Sequence, residues 1–340
     1  MNILITGIAG FIGSHLAKSL MKDENNRIIG IDDFNNILYD SSIKYDRLKY
    51  LLNFSELHVN ENIFANNNVT IYKSSIADKD SLSSIFHKYK FDIAINLAAY
   101  ANPILSLDYT SHYFNTNVVG FFNILECIKE YSPNTLLIYA STSSVYGDRD
   151  NYNTSSNIND NTDHSISLYA ASKKCDEILA YSYYKSFNVK SVGLRLFTVY
   201  GPFGRPDMAL YKFTKNIIDE IPIDVYNYGN NYRDFTYIDD LIKSINLIIN
   251  HKSSLKSDYL LYNIGSQNPV KLSAFIEIIE NTLNKKSIKN YLPPQKCDTY
   301  HTFANMNDFY NDFHYIPDTD INKGIKSFIE WYVQYHHILF

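Results

Sequence analysis

The sequence predicts an α/β fold, a doubly wound parallel sheet with a smaller α/β region toward the C-terminus. Three observations carry this expectation. Asn2-Ile3-Leu4-Ile5-Thr6 is an apolar run of strand length that passes directly into Gly7-Ile8-Ala9-Gly10-Phe11-Ile12-Gly13 and then into helical spacing over 14–21. Further strand-like runs recur at 27–31, 69–73, 91–97 and 136–140. Between them, 81–88 and 115–130 carry helical spacing. Strands that alternate with helices must be connected by crossovers, and crossovers make parallel sheets.

The first element sets the pattern. A buried parallel strand is apolar on both faces, as residues 2–6 are. The glycines after it let the backbone turn sharply into a helix whose N-terminus presents unpaired N–H groups and the positive end of its dipole. That arrangement cradles phosphate. The spacing is G-x-x-G-x-x-G, at Gly7, Gly10 and Gly13, rather than the commoner G-x-G-x-x-G. The second strand, 27–31, ends at Asp32-Asp33, and Asp32 lies nineteen residues beyond Gly13. An acid at that distance accepts hydrogen bonds from an adenosine ribose and repels a 2′-phosphate, so NAD is expected rather than NADP. The plainer alternative is an acidic loop that happens to follow a strand.

Residues 34–68 read as a long polar connection with a helical patch over 41–52. Asn96-Leu97-Ala98-Ala99 and Ser141-Thr142-Ser143-Ser144 fall at carboxyl ends of expected strands, where such sheets bind ligands. Residues 148–165 are polar and are expected to form a surface loop before the next helix. A strand over 190–197 follows, then the turn-rich Gly201-Pro202-Phe203-Gly204-Arg205-Pro206. The division is placed at 197/198: residues 1–197 hold the dinucleotide, with some later segments returning to that domain, and 198–340 hold the substrate. A last helix over 322–335 is expected to bury Ile325, Phe328, Ile329 and Tyr332.

Tyr169-Ala170-Ala171-Ser172-Lys173 opens the helix after the polar loop. On a helix, Tyr169 and Lys173 share a face. An ammonium beside a phenol favours the phenolate, which serves as a general base toward a sugar hydroxyl. Taken alone, the pair also fits an amphipathic surface. Composition narrows the field. A formal charge of −5, with no run of Lys or Arg, does not support nucleic-acid binding. Cys127, Cys175 and Cys297 are far apart, with neither metal-ligand spacing nor a disulfide framework, and the histidines show no zinc pattern. No metal is expected, and a reducing cytoplasm fits. The N-terminus lacks a basic segment and is interrupted by glycine, unlike a signal peptide or a membrane span.

These segments occur in one order, and in that order the chain resembles the extended short-chain dehydrogenase/reductase family, which implies a Rossmann-type sheet. A narrower similarity, to the UDP-glucuronate 4-epimerases, rests on 197–210, on Ile223-Asp224-Val225-Tyr226-Asn227-Tyr228-Gly229 and on Arg233-Asp234-Phe235-Thr236-Tyr237-Ile238-Asp239-Asp240. The resemblance implies that Tyr169 takes the proton from a sugar C4 hydroxyl while hydride passes to bound NAD. The 4-keto sugar then rotates, and hydride returns to its other face. Lys173 would hold the nicotinamide ribose, and Thr142 would hydrogen-bond the sugar oxygen. Gly7, Gly10, Phe11, Ile12, Gly13, Asp32, Ile76, Leu97, Ala98, Ala99 and Asn117 would line the cofactor site.

For the nucleotide sugar, the resemblance implies Tyr226 near uracil, Arg233 on the diphosphate and Asp298 on the uridine ribose. Ser143, Ser144 and Thr198 would surround a C6 carboxylate, beside Met208 and Ala209. Arg205 would face the sugar or diphosphate, or merely tie down its own turn. The chain departs from the family pattern at Ser75, where an acid is usual, and at Asn102 and Ile104, usually Gly and Arg. The alternative substrates are therefore UDP-glucose/galactose or a UDP-N-acetylhexosamine. A decarboxylase or dehydratase lacks its usual acidic residue at Ser143 and Ser144, and a non-catalytic NAD-binding protein would not need Tyr169 and Lys173. Family members commonly form homodimers, here through helices at 115–131 and 169–187.

Overall fold

The computed structural model describes residues 1–55, 61–147 and 154–338. The expected runs become strands β1 Asn2–Thr6, β2 Arg27–Asp32, β4 Val69–Lys73, β5 Ile93–Asn96, β6 Leu136–Thr142 and β7 Ser191–Leu196, with a further strand, β3 Ile63–Asn66, ahead of β4. The second half of the chain adds β8 Thr198–Tyr200, β9 Ile223–Tyr226, β10 Tyr232–Tyr237, β11 Tyr259–Ile264, β12 Pro269–Lys271 and β13 Lys289–Leu292. Eight strands form one sheet in the order β11-β7-β6-β5-β1-β2-β4-β3. All its pairings are parallel except the edge pair β3–β4.

Early helices are α1 Phe11–Leu20, α2 Ser42–Leu52, α3 Lys79–Lys88, the single turn α4 Thr110–Tyr113, α5 Gly120–Tyr131 and α6 Leu168–Phe187. Later ones are α7 Ala209–Ile218, α8 Ile238–Asn250, α9 Leu272–Leu283, α10 Asn307–Phe313 and α11 Ile321–Tyr335. Successive strand side chains point to opposite faces, and the cores divide accordingly. Ile3, Ile5, Ile93, Ile95 and Ile138 pack with Leu16, Leu20, Leu48, Leu241 and Ile245 of α1, α2 and α8. Leu4, Ala94, Leu137 and Tyr139 pack on the other face with Ile85, Phe121, Ile124 and Ala180 of α3, α5 and α6. A third core joins Phe213, Phe235, Phe275 and Ile279 to Ile325, Phe328, Ile329 and Tyr332, the apolar face expected of the last helix.

Two features were not anticipated. The polar connection contains β3, which turns back onto β4 with Asn66 opposite Val69. Asn67 takes a positive φ of 49° there, a conformation asparagine tolerates better than most residues. The expected helix at 115–130 opens with a π-helical stretch, Phe114–Val119. Such widened turns recur at functional sites. The polar loop expected at 148–165 falls partly on 148–153, outside the described residues. Among the described residues no helix is long and apolar enough to cross a membrane.

Candidate active site

The chain leaves β1 toward β2 and β4 on one side, while β5 pairs on its other side and leads away to β6 and β7. Ligands bind at such a switch point, beyond the carboxyl ends of the strands. Here the Gly7 turn meets the strand-end loop Leu97-Ala98. A Cβ on Gly7, whose φ is +69°, would lie 2.8 Å from Ala98 N, and one on Gly13 would lie 2.9 Å from Ile8 Cα. The glycines are therefore required by close backbone approach. Gly10 offers no side chain to cap α1, so Phe11, Ile12 and Gly13 open the helix as a turn suited to phosphate. A crevice lies here, lined by Gly7, Gly10, Asp32, Ile76, Leu97, Ala98 and Ala99 among the residues expected from sequence.

Asp32 is the most heavily engaged of these. Its Oδ2 accepts from Ala9 N at 3.1 Å, and its Oδ1 accepts from Phe34 N at 2.9 Å and from Lys44 Nζ at 3.1 Å. Burial opposes the Lys44 charge, but Asp32, Tyr39 and Asp33 outweigh it and hold the ammonium above its ordinary range. Ser75, one of the departures noted from the family pattern, also lines the crevice and brings a neutral hydroxyl to it. Sequence reasoning missed Lys44, Tyr39 and Thr116 in this lining. It also missed Arg47, which is fully buried. Arg47 donates to Ala9 O at 3.2 Å and to Phe203 O at 2.9 Å, fastening the glycine turn to the 201–206 turn. The donors, the acid and the glycine cradle suit a dinucleotide.

α6 starts where Ser167 accepts from Ala170 N at 3.1 Å, an N-cap that places Tyr169 in the first turn and Lys173 one turn on. Asn117, in the π-helical stretch, donates to Tyr100 O at 3.0 Å and to Ser172 Oγ at 2.9 Å. It thereby ties α6 to the loop after β5. From below, Arg195 forks onto Glu177 at 2.8 Å through both Nε and Nη2, and Ser141 donates to the same carboxylate at 2.7 Å. Lys173 Nζ meets Asp176 Oδ2 at 2.6 Å, a partner the sequence reading did not single out. Thr142 ends β6, accepts from Ser144 N at 3.2 Å and donates to Ser144 Oγ at 3.2 Å, closing the Ser143–Tyr146 turn against α6. The Tyr169 ring lies 6.5 Å from that of Tyr113, edge to face.

Among the residues expected to meet the substrate, Arg205 donates to Asp207 through Nε at 3.0 Å and Nη2 at 2.6 Å, and Asn102 Nδ2 reaches the same carboxylate at 3.1 Å. Burial alone would raise the Asp207 carboxyl, yet Arg205 and Asn102 hold it below the usual range. Arg205 thus ties down its own turn. Ile104 is 39% exposed. Thr198 begins β8 opposite Phe235 of β10. Met208 and Ala209 form the N-terminus of α7. Arg233 and Asp298, expected to act on different parts of a nucleotide, bond to one another at 2.7 Å. Tyr226 ends β9 and leads into the Asn227–Gly229 turn. No cluster of three His, Cys, Asp or Glu suited to a metal occurs among the described residues.

Known proteins share both the sequence and the architecture. A "Protein CapI" of Staphylococcus aureus is 43% identical over 99% of both chains. UDP-glucuronate 4-epimerase 1 of Arabidopsis thaliana is 34% identical over 99% of this chain and 77% of its own. The UDP-glucuronic acid 4-epimerase of Bacillus cereus, solved with UDP-glucuronic acid and NAD, superposes with a TM-score of 0.87 at 28% identity, covering 98% of this chain and all of that one. The model of the NAD dependent epimerase/dehydratase family matches residues 3–265, a span that takes in the glycine cradle, Asp32, the Tyr169/Lys173 helix and the sheet they stand on. The chain belongs to that family.

Proposed function

We propose that this chain is an NAD-dependent UDP-glucuronate 4-epimerase, an isomerase that inverts C4 of the sugar through a 4-keto form. The observation that carries the reading is the first turn and a half of α6. It presents Tyr169 and Lys173 on a braced helix near the Thr142 turn. The relatives named above support the substrate. In this reading residues 1–197, with the returning β11 and α8, hold the cofactor, and 198–340 hold the nucleotide sugar.

When bound, NAD supplies the hydride acceptor and donor. The protein supplies the proton chemistry and the geometry. Gly7, Gly10 and Gly13 with Phe11 and Ile12 hold the cofactor phosphates, and Asp32 holds its adenosine ribose. Ile76, Leu97, Ala98 and Ala99 form the walls, and Asn117 fixes the loop beside them. Tyr169 takes the proton from the C4 oxygen and returns it, Lys173 favours the phenolate, and Thr142 orients the oxygen. Arg233 turns its planar donor fork to the diphosphate, Asp298 binds the uridine ribose, and Tyr226 lies beside uracil. A 4-keto uronate is a β-keto acid and loses CO₂ when the bond to its carboxylate lies parallel to the carbonyl π system, so that the bonding pair passes into the enolate. Ser143, Ser144 and Thr198 fix that carboxylate out of alignment with neutral hydrogen bonds, beside Met208 and Ala209.

We place the enzyme in the cytoplasm, making a precursor for a surface polysaccharide. We propose a homodimer through α5 and α6, whose exposed Phe122, Ile178, Tyr181 and Phe187 support such packing. Ile104 favours a second reading, a 4-epimerase of UDP-glucose/galactose or a UDP-N-acetylhexosamine. Side-by-side assays of UDP-glucuronate, UDP-glucose and UDP-N-acetylglucosamine decide between them. Uronate preference is expected, and a tenfold or greater preference in kcat/KM for a neutral sugar overturns it. Tyr169→Phe tests the chemistry. Turnover should fall roughly 10²–10⁴-fold with NAD still bound, and retention of more than about a tenth of wild-type turnover removes Tyr169 as the base.

A further inference from the structure

Asp176 is wholly buried, as is its partner Lys173, at 0% and 2% side-chain exposure. The pair sits one turn below Tyr169 on α6. Only one carboxylate oxygen is satisfied: Oδ2 accepts from Lys173 Nζ at 2.6 Å, while Oδ1 is buried without a hydrogen-bond partner. An unsatisfied carboxylate oxygen in the interior costs stability. Packing does not require it, because an amide of the same shape would fill the same space.

The surroundings single out Lys173 as its counter-charge. Next on the helix, Glu177 is already balanced by Arg195, Ser141 and Lys174. From β6, Tyr139 brings a buried neutral phenol, and from β11 Tyr259 faces the same cluster. Cys175 adjoins it on α6 and feels the same carboxylate. Among the described residues, Lys173 is the cation that acts on Asp176.

We infer that Asp176 is a positioning residue, one that sets where the Lys173 ammonium points and how much of its charge reaches Tyr169. This rests on the assignment of Tyr169 and Lys173 made above. With Asp176 ionised, the pair is neutral and its Nζ is held toward the body of the helix. With Asp176 protonated, the pair carries a full positive charge that favours the Tyr169 phenolate. Burial pushes the Asp176 carboxyl up to about 7 against the pull of Lys173, so the pair changes charge across the working range of pH. Asp176 and Tyr169 are seven residues apart, roughly 10 Å along a helix. At that separation a buried unit charge displaces a titration by about one pH unit.

The test is the pH dependence of kcat/KM for wild type, Asp176→Asn and Asp176→Glu with UDP-glucuronate, with NAD content and Tm measured alongside. In Asp176→Asn the Lys173 charge is permanently uncompensated. At pH 7 and above, where wild-type Asp176 is ionised, the limb should lie about half a unit to one unit lower in Asp176→Asn, and Asp176→Glu should bring it back toward wild type; below pH 7 the wild-type pair already carries the same charge and the two profiles should converge. An unmoved limb in Asp176→Asn, with any loss of rate tracking a loss of Tm, makes Asp176 merely structural and overturns the inference. Should the variants not fold, infrared difference spectra of wild-type holoenzyme between pH 5 and 9 read the same group. A buried protonated-carboxyl band that disappears on the way to pH 9 is expected, and its absence also overturns the inference. Tyr169→Phe separates the two levels. If that variant is active, the base assignment fails; if it is inactive while the Asp176→Asn limb is unmoved, only the role of Asp176 fails.

Discussion

Replacing Gly13 with alanine tests the cofactor cradle where the geometry is tightest. An alanine Cβ there would lie 2.9 Å from both Gly7 C and Ile8 Cα, with Gly7 O closer still. Ordinary carbon–carbon contact is about 3.5–4.0 Å, so several atoms must part by roughly 0.6 Å or more. All of them are backbone, and none can swing aside as a side chain would. Gly7 is pinned by its N–H to Ile31 O at 2.7 Å and by Gly10 N donating to its carbonyl at 2.9 Å. Relief must come from α1 tilting away or from the turn opening, and either displaces the N–H groups assigned to phosphate. Overpacking of this kind costs about 1–3 kcal/mol, and the same loss applied to binding weakens affinity about 5- to 150-fold.

The assay denatures purified protein and quantifies the NAD released, with Tm recorded in parallel. Wild type should release NAD, not NADP, in near-stoichiometric amount, because the reaction returns the cofactor oxidised at each turnover. Gly13→Ala should lose most of it and a few degrees of Tm. Gly10→Ala, whose Cβ meets only Gly7 O within 3 Å, should lose less. Gly229→Ala is the control: φ is +79° but the nearest atom is 3.4 Å away, so it strains its own turn and should leave bound NAD intact. A Gly13→Ala protein with wild-type NAD content and Tm would refute the argument.

Arg233→Ala should raise KM for the UDP-sugar about 10- to 100-fold, the loss expected for a charged hydrogen bond, and leave kcat within a few-fold; a kcat effect without a KM effect would contradict its assignment. Thr198→Val should weaken uronate binding and increase the share of decarboxylated UDP-pentose, read by NMR of the product mixture; an unchanged product ratio would remove Thr198 from carboxylate control. His15 is held down to about 4 by burial, so the folded protein favours its neutral form. Its stabilising contribution is complete above about 6.5 and is lost as pH falls toward 4, a span worth about 3 kcal/mol at most. Tm should therefore fall over that window, and His15→Gln should flatten that part of the curve.

What was legible in the sequence is what local periodicity encodes. The β1–glycine–α1 unit, the strands read at 27–31 and 136–140, and the apolar face of α11 each show a repeat of two or 3.6 residues, or an unbroken apolar run. β3 was hidden because four residues, half of them exposed, carry too little pattern, and its turn uses Asn67 rather than glycine. The π-helical stretch is invisible to a 3.6-residue repeat. In the site, residue types were readable and pairings were not. Lys44 reaches Asp32 across twelve residues, and Arg47 reaches Phe203 across 156. Asp176 looks like one more polar residue on a mixed helix. Its burial follows from α6 being covered both by the sheet and by the π-helical stretch, which is tertiary information.

The substitution at Ile104 raised the question of how this chain holds a uronate without a cation usual in its relatives, and the structure reframes that question. A positive group is present nearby in Arg205, but Asp207 engages its fork from two sides and Asn102 supports the same carboxylate. Asn102 is itself the other departure noted from the family pattern in that segment. The two departures therefore fall in one short segment, and one of them supplies a donor to the Arg205–Asp207 ion pair. A cation against the substrate carboxylate would stabilise the bound uronate, but it would not by itself fix the angle that decides whether CO₂ leaves. Of the hydroxyls proposed to meet the carboxylate, Ser143 and Ser144 stand in the turn that Thr142 closes at the end of β6 and Thr198 begins β8, and direction is what donors on such fixed backbone provide. Loss of a point charge at 104 is thus compatible with a uronate epimerase whose selectivity depends on the orientation of the carboxylate more than on its affinity.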